Sequence, residues 1–217
     1  MPIKVNLPVK TPKIIKRLYS NYIWDKKTKN SSQKTLYLTF DDGPIPEVTP
    51  WVLKTLEYFN AQASFFCIGD NIVKHPDIFN LLIKSDHTTG NHTFNHLNGW
   101  KTDNEDYLTN IAKTEKLLTQ KLGQNQLFFR PPYGKIKKRQ ANRLIEKNYQ
   151  IVMYDVIAYD WDSTIDKNKC LDNVLNYAED GSIIVFHDSI KAENNMKYAL
   201  PRVLEHFSNK GYIFKGL

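Results

Sequence analysis

The sequence predicts an α/β protein with a closed or nearly closed barrel of about seven parallel strands surrounded by helices. Short apolar runs of strand length alternate along the chain with longer runs of helical periodicity. Several short runs, such as ASFFC and SIIVF, have small or apolar residues at consecutive positions, which is typical of parallel strands covered on both faces. A doubly wound open sheet is the alternative. In both folds the functional residues collect at the carboxyl ends of the strands.

The predicted elements follow one another in a regular order. Strands are predicted at residues 36–40, 63–69, 87–91, 126–130, 150–157, 182–187 and 212–214. Helices are predicted near residues 49–59, 70–84, 104–122, 135–148, 166–179 and 196–209. Thr49-Pro50 is a typical helix start, and Gly123 stands where a helix should end.

Residues 1–34 are predicted to form a basic arm ahead of the main domain, residues 35–217. The arm holds nine of the 30 Lys and Arg residues and one of the 23 acidic residues, so the main domain is nearly neutral. One amphipathic helix is predicted in the arm, capped by Thr11 with Pro12 in its first turn. Its apolar residues should pack on the barrel: Ile14, Ile15, Leu18, Tyr19, Tyr22 and Ile23. No groove pattern of aromatic and basic residues follows the arm, so no nucleic-acid partner is expected.

Composition excludes a membrane protein and favours a cytoplasmic one. Apolar residues make up 41% of the chain, but no run approaches the roughly 18 consecutive residues of a membrane span. The first residues lack the apolar core of a secretory signal. Cys67 and Cys170 both lie in apolar surroundings and are expected to be reduced. The oligomeric state is left open by these observations.

Polar side chains with chemical potential follow five of the predicted strands. They are Asp41 and Asp42 in LYLTFDDGP, His92 and His96 in GNHTFNH, Arg130, the group Asp155, Asp160 and Asp162, and finally His187 with Asp188. Any one strand tip could be polar for solubility alone. Because the carboxyl ends of parallel strands meet at one rim, five such tips together predict an active site there.

Two histidines and a carboxylate at this rim indicate a metal centre. His92 and His96 are four residues apart, so one helical turn would let both imidazoles share an ion. None of the residues between them can act as a general base, so the doubled aspartate is the available source. Spacing alone leaves open whether Asp41 or Asp42 binds the metal. Zinc is the first choice, with iron, cobalt, nickel and manganese as alternatives.

Two further groups suit hydrolytic chemistry. Arg130 precedes a rigid PPYG turn, where it could pair with a carboxylate and favour the ionised form. The amide of Tyr133 could then donate to a developing oxyanion. His187 ends a buried run opposite the proposed metal and is a candidate general acid. The other histidines are left outside the predicted site: His75, His87 and His206.

Taken together, these segments resemble the polysaccharide deacetylase family, also called carbohydrate esterase family four or the NodB-homology domain. Five motifs carry the resemblance in family order: TFDDGP (39–44), HTFNH (92–96), RPPYG (130–134), DW (160–161) and VFHD (185–188). The resemblance runs from about residue 35 to the C-terminus, which makes residues 35–217 the expected catalytic domain. It implies a distorted (β/α)7-type barrel with parallel strands.

The resemblance also implies roles for the motif residues. Asp42, His92 and His96 would bind the divalent metal, Asp41 would be the catalytic base, and Arg130 would hold Asp41.

The remaining implied roles concern the substrate and the leaving group. Substrate contacts are implied for Pro132, Tyr133 and Trp161, with the Tyr133 amide in the oxyanion hole. His187 would be the general acid. The fourth motif departs from the family pattern DxxDW, because Ile157 stands where the first aspartate normally orients the histidine. Asp160 or Asp155 is the candidate replacement, and the alternative is that the histidine is less well tuned.

The implied activity is metal-dependent removal of N-acetyl groups from a glycan that contains N-acetylhexosamine, such as a chito-oligosaccharide or peptidoglycan. An O-acetyl esterase or a cyclic-amide hydrolase of the same fold is the first alternative. A non-catalytic carbohydrate-binding module with a relic site is the second, and it predicts that a ligand or base is missing.

Overall fold

Short strands and helices alternate along the chain in a computed structural model that describes residues 8–27, 32–123 and 127–217. The strands are β1 (Thr35–Asp41), β2 (Ala63–Cys67), β3 (Thr88–Asn91), β4 (Phe128–Phe129), β5 (Gln150–Ile151), β6 (Val156–Ile157), β7 (Ile183–His187) and β8 (Ile213–Phe214). The α-helices are α1 (Lys13–Leu18), α2 (Thr49–Tyr58), α3 (Gly69–Lys74), α4 (Pro76–Lys84), α5 (Asn104–Leu122), α6 (Lys138–Glu146), α7 (Lys167–Leu175) and α8 (Glu193–Asn209). A short 3₁₀ helix spans Pro132–Gly134.

All of the strands pair in parallel within one curved sheet. Their order is β5-β4-β3-β2-β1-β7-β6, and β8 pairs with the start of β1. At the centre, Asp41 at the end of β1 lies opposite Phe66 of β2 and His187 of β7. The two outer strands, β5 and β6, do not pair with each other in the described part of the chain. The predicted parallel (β/α)7-type barrel is confirmed, in a partly open form.

The basic arm lies across the gap between β5 and β6. The amide of Ile23 donates to the carbonyl of Ile151 at 2.8 Å, beside one edge of the gap. The amide of Ile157 donates to the carbonyl of Val9 at 3.0 Å, at the other edge. Backbone groups that an open sheet would leave unpaired are therefore satisfied by the arm.

The helix of the arm differs from the prediction. α1 starts after Pro12, and Thr11 does not cap it, because the Thr11 hydroxyl donates to the carbonyl of Tyr154 at 2.8 Å. The predicted packing of its apolar stripe is wrong for the helix itself, where Ile14 and Leu18 are 68% and 70% exposed, but Tyr22 and Ile23 after the helix are partly buried against the core. The physical reason is that the flanking backbone holds the arm, so this six-residue helix is not needed as an apolar anchor.

Ion pairs also hold the arm at the amino end of the strands. The ammonium of Lys16 lies 2.5 Å from a carboxylate oxygen of Asp155 and 2.5 Å from one of Asp25. Lys10 lies 3.3 Å from the other oxygen of Asp155, which also accepts a hydrogen bond from Ser182. Much of the positive charge described in the arm therefore neutralises acidic groups of the same chain.

Two predicted elements are each divided in the structure. The helix predicted at 70–84 is two helices, because Pro76 lacks an amide donor and starts a new helix after His75. The strand predicted at 150–157 is split into β5 and β6, with residues 152–155 between them. The strand predicted at 126–130 is confirmed at 128–129, while residue 126 lies outside the described residues.

The central core is aromatic and lies beneath the rim. The ring of Phe40 stacks on Phe65 at 5.0 Å and on Phe186 at 6.1 Å, which ties β1 to both neighbours. Cys67 and Cys170 are buried and unpaired, as predicted. Within the described ranges, no helix combines the length and the apolar character needed to cross a bilayer.

Candidate active site

The two aspartates of TFDDGP stand at the carboxyl end of the central strand. Asp41 is the last residue of β1 and is only 5% exposed. Asp42 follows with a positive φ of 86°. The side-chain amide of Asn71 donates to the Asp42 carbonyl at 2.7 Å, and the amide of Gly43 donates to Asp188 at 3.0 Å. The acidic turn is therefore held from both sides.

The two imidazoles approach Asp42 through the same ring nitrogen. Nδ1 of His92 lies 2.8 Å from the carbonyl oxygen of Arg130. Because a carbonyl only accepts, this nitrogen carries the proton and Nε2 keeps its lone pair. Nε2 of His92 lies 3.9 Å from Oδ1 of Asp42, and Nε2 of His96 lies 3.3 Å from the same oxygen. Nδ1 of His96 contacts the hydroxyl of Tyr133 at 3.1 Å.

These three side chains fit a divalent metal. One donor atom from each of Asp42, His92 and His96 lies within 4.8 Å of the others. Ligands around a tetrahedral zinc, at bonds of about 2.1 Å, stand about 3.4 Å apart, close to the separations found here. Oδ1 of Asp42 is buried and has no hydrogen-bond partner in the described ranges. A buried carboxylate oxygen without a partner is costly, and a cation would remove that cost.

The protonation states of the histidines suit the same fit. Burial lowers the pKa of His92 to about 4, although the nearby carboxylates of Asp41 and Asp42 oppose the shift. Burial likewise lowers the pKa of His96 below its ordinary value. Both rings are therefore neutral at pH 7, which is the form that binds a metal.

Asp41 is held ionised by a buried arginine. Nη1 of Arg130 donates to Oδ1 of Asp41 at 2.8 Å and to the hydroxyl of Thr39 at 2.6 Å. Nη2 donates to the carbonyl of Met153 at 2.8 Å, and the guanidinium lies over the ring of Phe66 at 4.1 Å. Burial pushes the pKa of Asp41 upward, but Arg130, together with nearby imidazoles, holds that pKa below its ordinary value.

His187 faces the same space from β7 and is paired with Asp160. Nδ1 of His187 lies 2.9 Å from Oδ1 of Asp160, and the backbone amide of His187 donates to Oδ2 at 2.7 Å. Burial opposes protonation of His187, yet the carboxylate of Asp160 prevails and raises the pKa to about 9. Asp160 thus occupies the orienting position that Ile157 cannot fill.

A cavity of about 480 Å³ joins these groups. Asp41, Asp42, both imidazoles of the third strand and His187 all line it. The ring of Trp161 lies 4.5 Å from that of His187 and forms part of the wall. Pro131 lines the cavity, whereas Pro132, in the 3₁₀ turn, is not among its lining residues, and the predicted substrate contact of Pro132 stays a prediction.

Backbone strain is concentrated around this cavity. Eight non-glycine residues in the described chain have positive φ, and three of them are Asn or Asp residues near turns, which tolerate it. The others are Asp42, Thr93, His96, Tyr133 and Tyr159. These five belong to, or adjoin, the segments that carry the site. Such strain typically costs about 1–3 kcal/mol per residue and persists where surrounding contacts impose it.

The structure brings most of the predicted residues together and separates one. Asp155 precedes β6 and lies near the amino end of β7, so it cannot orient His187, and its predicted place at the rim is wrong. The cause is the break between β5 and β6. Asp155 therefore lies just before the start of β6, at the amino end of the strands, and not at the carboxyl end of one long strand. Asp162 is buried beside the rim and holds the following turn through Thr164.

Two supporting residues were given no role in the sequence analysis. Asp188 is fully buried and accepts hydrogen bonds from Gly43 and from Thr49. Its position next to His187 in the VFHD motif was the available signal. Asn71, which holds the carbonyl of Asp42, lies on α3 and outside every motif.

The cavity brings together the groups that a metal-dependent hydrolase uses. These are carboxylate and imidazole donors for a cation, an ionised aspartate beside them and a protonated histidine opposite. The family model for polysaccharide deacetylase matches residues 28–152. The chain therefore belongs to the polysaccharide deacetylase family, also called the NodB-homology domain or carbohydrate esterase family four.

Similar proteins agree with this assignment. A peptidoglycan-N-acetylglucosamine deacetylase of Bacillus cereus is 35% identical over 178 residues, which are 82% of this chain and 64% of that protein. A second Bacillus cereus protein of that name is 31% identical, over 85% of this chain and 86% of its own length. The chain thus spans just under two thirds of the first relative.

Solved structures show the same fold. The Bc1960 peptidoglycan N-acetylglucosamine deacetylase is 32% identical and superposes with a TM-score of 0.85, covering 95% of each chain. The peptidoglycan deacetylase PdaC of Bacillus subtilis is 27% identical, with a TM-score of 0.77 over 86% of this chain and 89% of that one.

Proposed function

We propose that this chain is a metal-dependent deacetylase that hydrolyses the N-acetyl groups of N-acetylhexosamine residues in a peptidoglycan-like glycan. The observation that carries the proposal is the convergence of the metal-ligating set, Asp41 and His187 on one cavity. The three residues that would hold the metal are Asp42, His92 and His96. When bound, a divalent cation supplies Lewis acidity and makes water a stronger acid near neutral pH.

The chain's own residues account for both proton transfers. Asp41 would take a proton from the attacking water as the water oxygen bonds to the acetyl carbon. Arg130 keeps Asp41 ionised and leaves Oδ2, which lies 4.0 Å from Nε2 of His92, as the oxygen nearer the reacting groups. The Tyr133 amide would donate to the tetrahedral oxyanion that results.

His187 would complete the reaction from the other side of the cavity. With a pKa of about 9, its imidazole is protonated at pH 7 and can donate to the leaving amine. The carbon–nitrogen bond then breaks, and the products are acetate and the free amino sugar. Asp160 would act as a positioning residue that fixes the ring and stabilises its charge. Trp161 would enclose the acetyl group.

The relatives support the choice of substrate. Two Bacillus cereus relatives are peptidoglycan-N-acetylglucosamine deacetylases, and a Bacillus subtilis relative is a peptidoglycan-N-acetylmuramic acid deacetylase at 28% identity. We therefore propose peptidoglycan or an oligosaccharide derived from it over an unrelated amide. Which hexosamine loses its acetyl group is a matter for product analysis.

Acetate release tests the proposal directly. Chain treated with EDTA should release no acetate from N-acetylglucosamine oligosaccharides or peptidoglycan, and added Zn²⁺ or Co²⁺ should restore release. The Asp41→Asn variant, loaded with the same metal, is the matched control and should stay inactive. No acetate from any acetylated glycan with metal-loaded protein would refute the proposal.

The same experiment separates the alternatives. An O-acetylated xylan and a cyclic amide tested alongside would reveal an esterase or a ring-opening hydrolase through faster turnover than on the N-acetylated glycans. A non-catalytic module would bind glycan and release nothing. The cytoplasmic location stays a prediction, which fractionation of cells that express the chain would test.

A further inference from the structure

A second cavity, built largely by the basic arm, adjoins the catalytic cavity. It measures about 460 Å³ and is lined by Pro8, Thr11, Pro12, Ile15, Tyr19, Tyr22, Trp24, Trp100, Gly134, Ile136, Met153 and Tyr154. Three of these residues, Gly134, Met153 and Tyr154, also line the catalytic cavity. The two cavities are therefore adjacent, and one glycan strand could extend from one cavity to the other.

The lining of this arm cavity is aromatic and uncharged. Among the described residues it includes the rings of Tyr19, Tyr22, Trp24, Trp100 and Tyr154 and no Asp, Glu, Lys or Arg, although the ammonium of Lys135 lies 5.4 Å from the ring centroid of Trp100. Several lining side chains remain open to solvent: Trp100 is 60% exposed and Tyr19 42% exposed. Exposed rings that line one cavity together are suited to a recognition surface, unlike a single exposed ring.

The rings are held in place before any ligand arrives. The indole nitrogen of Trp100 donates to the carbonyl of Ile136 at 3.1 Å, and that of Trp24 donates to the carbonyl of Tyr19 at 2.9 Å. Tyr19 and Tyr22 stack at 5.6 Å between ring centroids. Rings fixed in advance lose little conformational entropy on binding, which favours affinity.

We propose that the arm cavity is a glycan subsite, in which a sugar ring of the substrate strand stacks on Trp100 and Tyr19 while another residue of the strand is deacetylated next door. This inference rests on the proposed function for the identity of the strand. Pyranose rings present flat faces of C–H groups that pack on aromatic rings, and they carry no charge that this lining would leave unpaired. The stem peptides of peptidoglycan carry charged groups and fit the lining less well.

Binding to metal-free protein tests the subsite without turnover. Calorimetry on EDTA-treated chain would compare the disaccharide and the pentasaccharide of β-1,4-linked N-acetylglucosamine. We expect the pentasaccharide to bind at least about tenfold more tightly, because only it fills both cavities. Trp100→Ala and Tyr19→Ala should each weaken pentasaccharide binding about fivefold, the size expected for one lost aromatic contact.

Tyr58→Ala is the matched control, because Tyr58 is 84% exposed and lines neither cavity. It should leave both affinities unchanged. Thermal melting of each variant checks that the fold is intact. Equal affinity for the two oligosaccharides, or no effect of the Trp100 and Tyr19 variants beyond that of Tyr58→Ala, would overturn the subsite. So would a Trp100→Ala defect confined to a peptide-bearing muropeptide.

The outcomes for the subsite and for the activity can be told apart. Length-dependent binding through Trp100 without acetate release by metal-loaded protein would refute the deacetylase and retain the subsite. Acetate release without length-dependent binding would retain the deacetylase and refute the subsite.

Discussion

Two buried aspartates, Asp41 and Asp155, lie at opposite ends of the sheet and have different roles. Both are paired with cations, and their side chains are 7% and 0% exposed. Asp155 has both oxygens engaged, one by Lys16 and the other by Ser182 and Lys10. Asp41 has one oxygen engaged by Arg130, and it lines the catalytic cavity.

The two aspartates differ in how many of their carboxylate oxygens are engaged, and not in how deeply they are buried. Both oxygens of Asp155 are engaged by partners from the same chain, so this carboxylate serves to hold the arm. A carboxylate held ionised at one oxygen and open at the other can act as a base. Burial and ion pairing alone would not have told the two apart.

Replacing Asp41 should impair the chemistry, and replacing Asp155 should destabilise the fold. Asp41→Asn should lower kcat at least about 10³-fold, within the range for loss of a general base. Asp155→Asn should leave kcat within about twofold and lower the free energy of unfolding by about 2 kcal/mol, because Lys16 and Lys10 lose part of a buried partnership. Acetate release and urea denaturation measure the two effects. A large loss of kcat in Asp155→Asn would contradict the comparison.

Asp160 sharpens the comparison, because it is buried like Asp155 yet acts on a reacting group. With the His187 pKa at about 9, activity should fall as pH rises through about 9. Asp160→Asn removes the carboxylate that raises this pKa, so the alkaline limb should move down by about 1–2 pH units toward the ordinary histidine value. A pH–rate profile of both proteins measures the shift, and an unmoved limb would exclude His187 as the acid that sets it.

The same pair should contribute to stability in a defined pH window. The folded-state pKa of His187 is raised above the unfolded value of about 6.5, so the contribution is complete below pH of about 6.5. It is lost as pH rises from there through about 9. Denaturation of wild type and Asp160→Asn across this range should show the difference between the two shrinking with rising pH, and a constant difference would argue against the pair.

Asp188 provides the smallest test, because it supports the site without reaching the cavity. Thr49 donates to its Oδ2 at 2.6 Å and accepts from the amide of Ile45 at 2.8 Å. Thr49→Val should cost about 1–3 kcal/mol by leaving buried polar atoms unpaired. Thr55→Val on the same helix, where the hydroxyl only donates to Trp51, should cost less than about 0.5 kcal/mol. Equal costs in urea denaturation would contradict this role for Asp188.

The rim of the sheet was predictable from the sequence because strand ends are a property of short segments. Apolar runs located β1 and β7, the strand at residues 87–91 was placed between them, and the rule for parallel sheets then brought their terminal residues to one edge. Ile157 in the fourth motif predicted that Asp160 or Asp155 takes the orienting role, or that the histidine is less well tuned. The geometry favours Asp160 for it through two hydrogen bonds to His187.

The errors arose where long-range contacts decide the structure. The sequence of residues 150–157 predicts one strand, because all but two of these residues are compatible with a sheet. In the structure, the carbonyl of Tyr154 accepts a hydrogen bond from Thr11 of the arm, and Asp155 forms an ion pair with Lys16 of the arm. The same contacts moved Asp155 to the other end of the sheet. The periodicity of the arm helix predicted that its apolar side chains pack on the barrel. Periodicity cannot show that backbone hydrogen bonds at the open edge of the barrel already hold the arm.

Metal titration tests the central claim most directly. Zn²⁺ titrated by calorimetry into EDTA-treated chain should bind with a stoichiometry of one ion, and acetate release should rise in step with occupancy. Asp42→Ala should bind the ion at least about 100-fold more weakly and release no acetate at the same metal concentration. Saturable binding that is unchanged in Asp42→Ala, or acetate release from metal-free protein, would contradict a cation held by Asp42, His92 and His96.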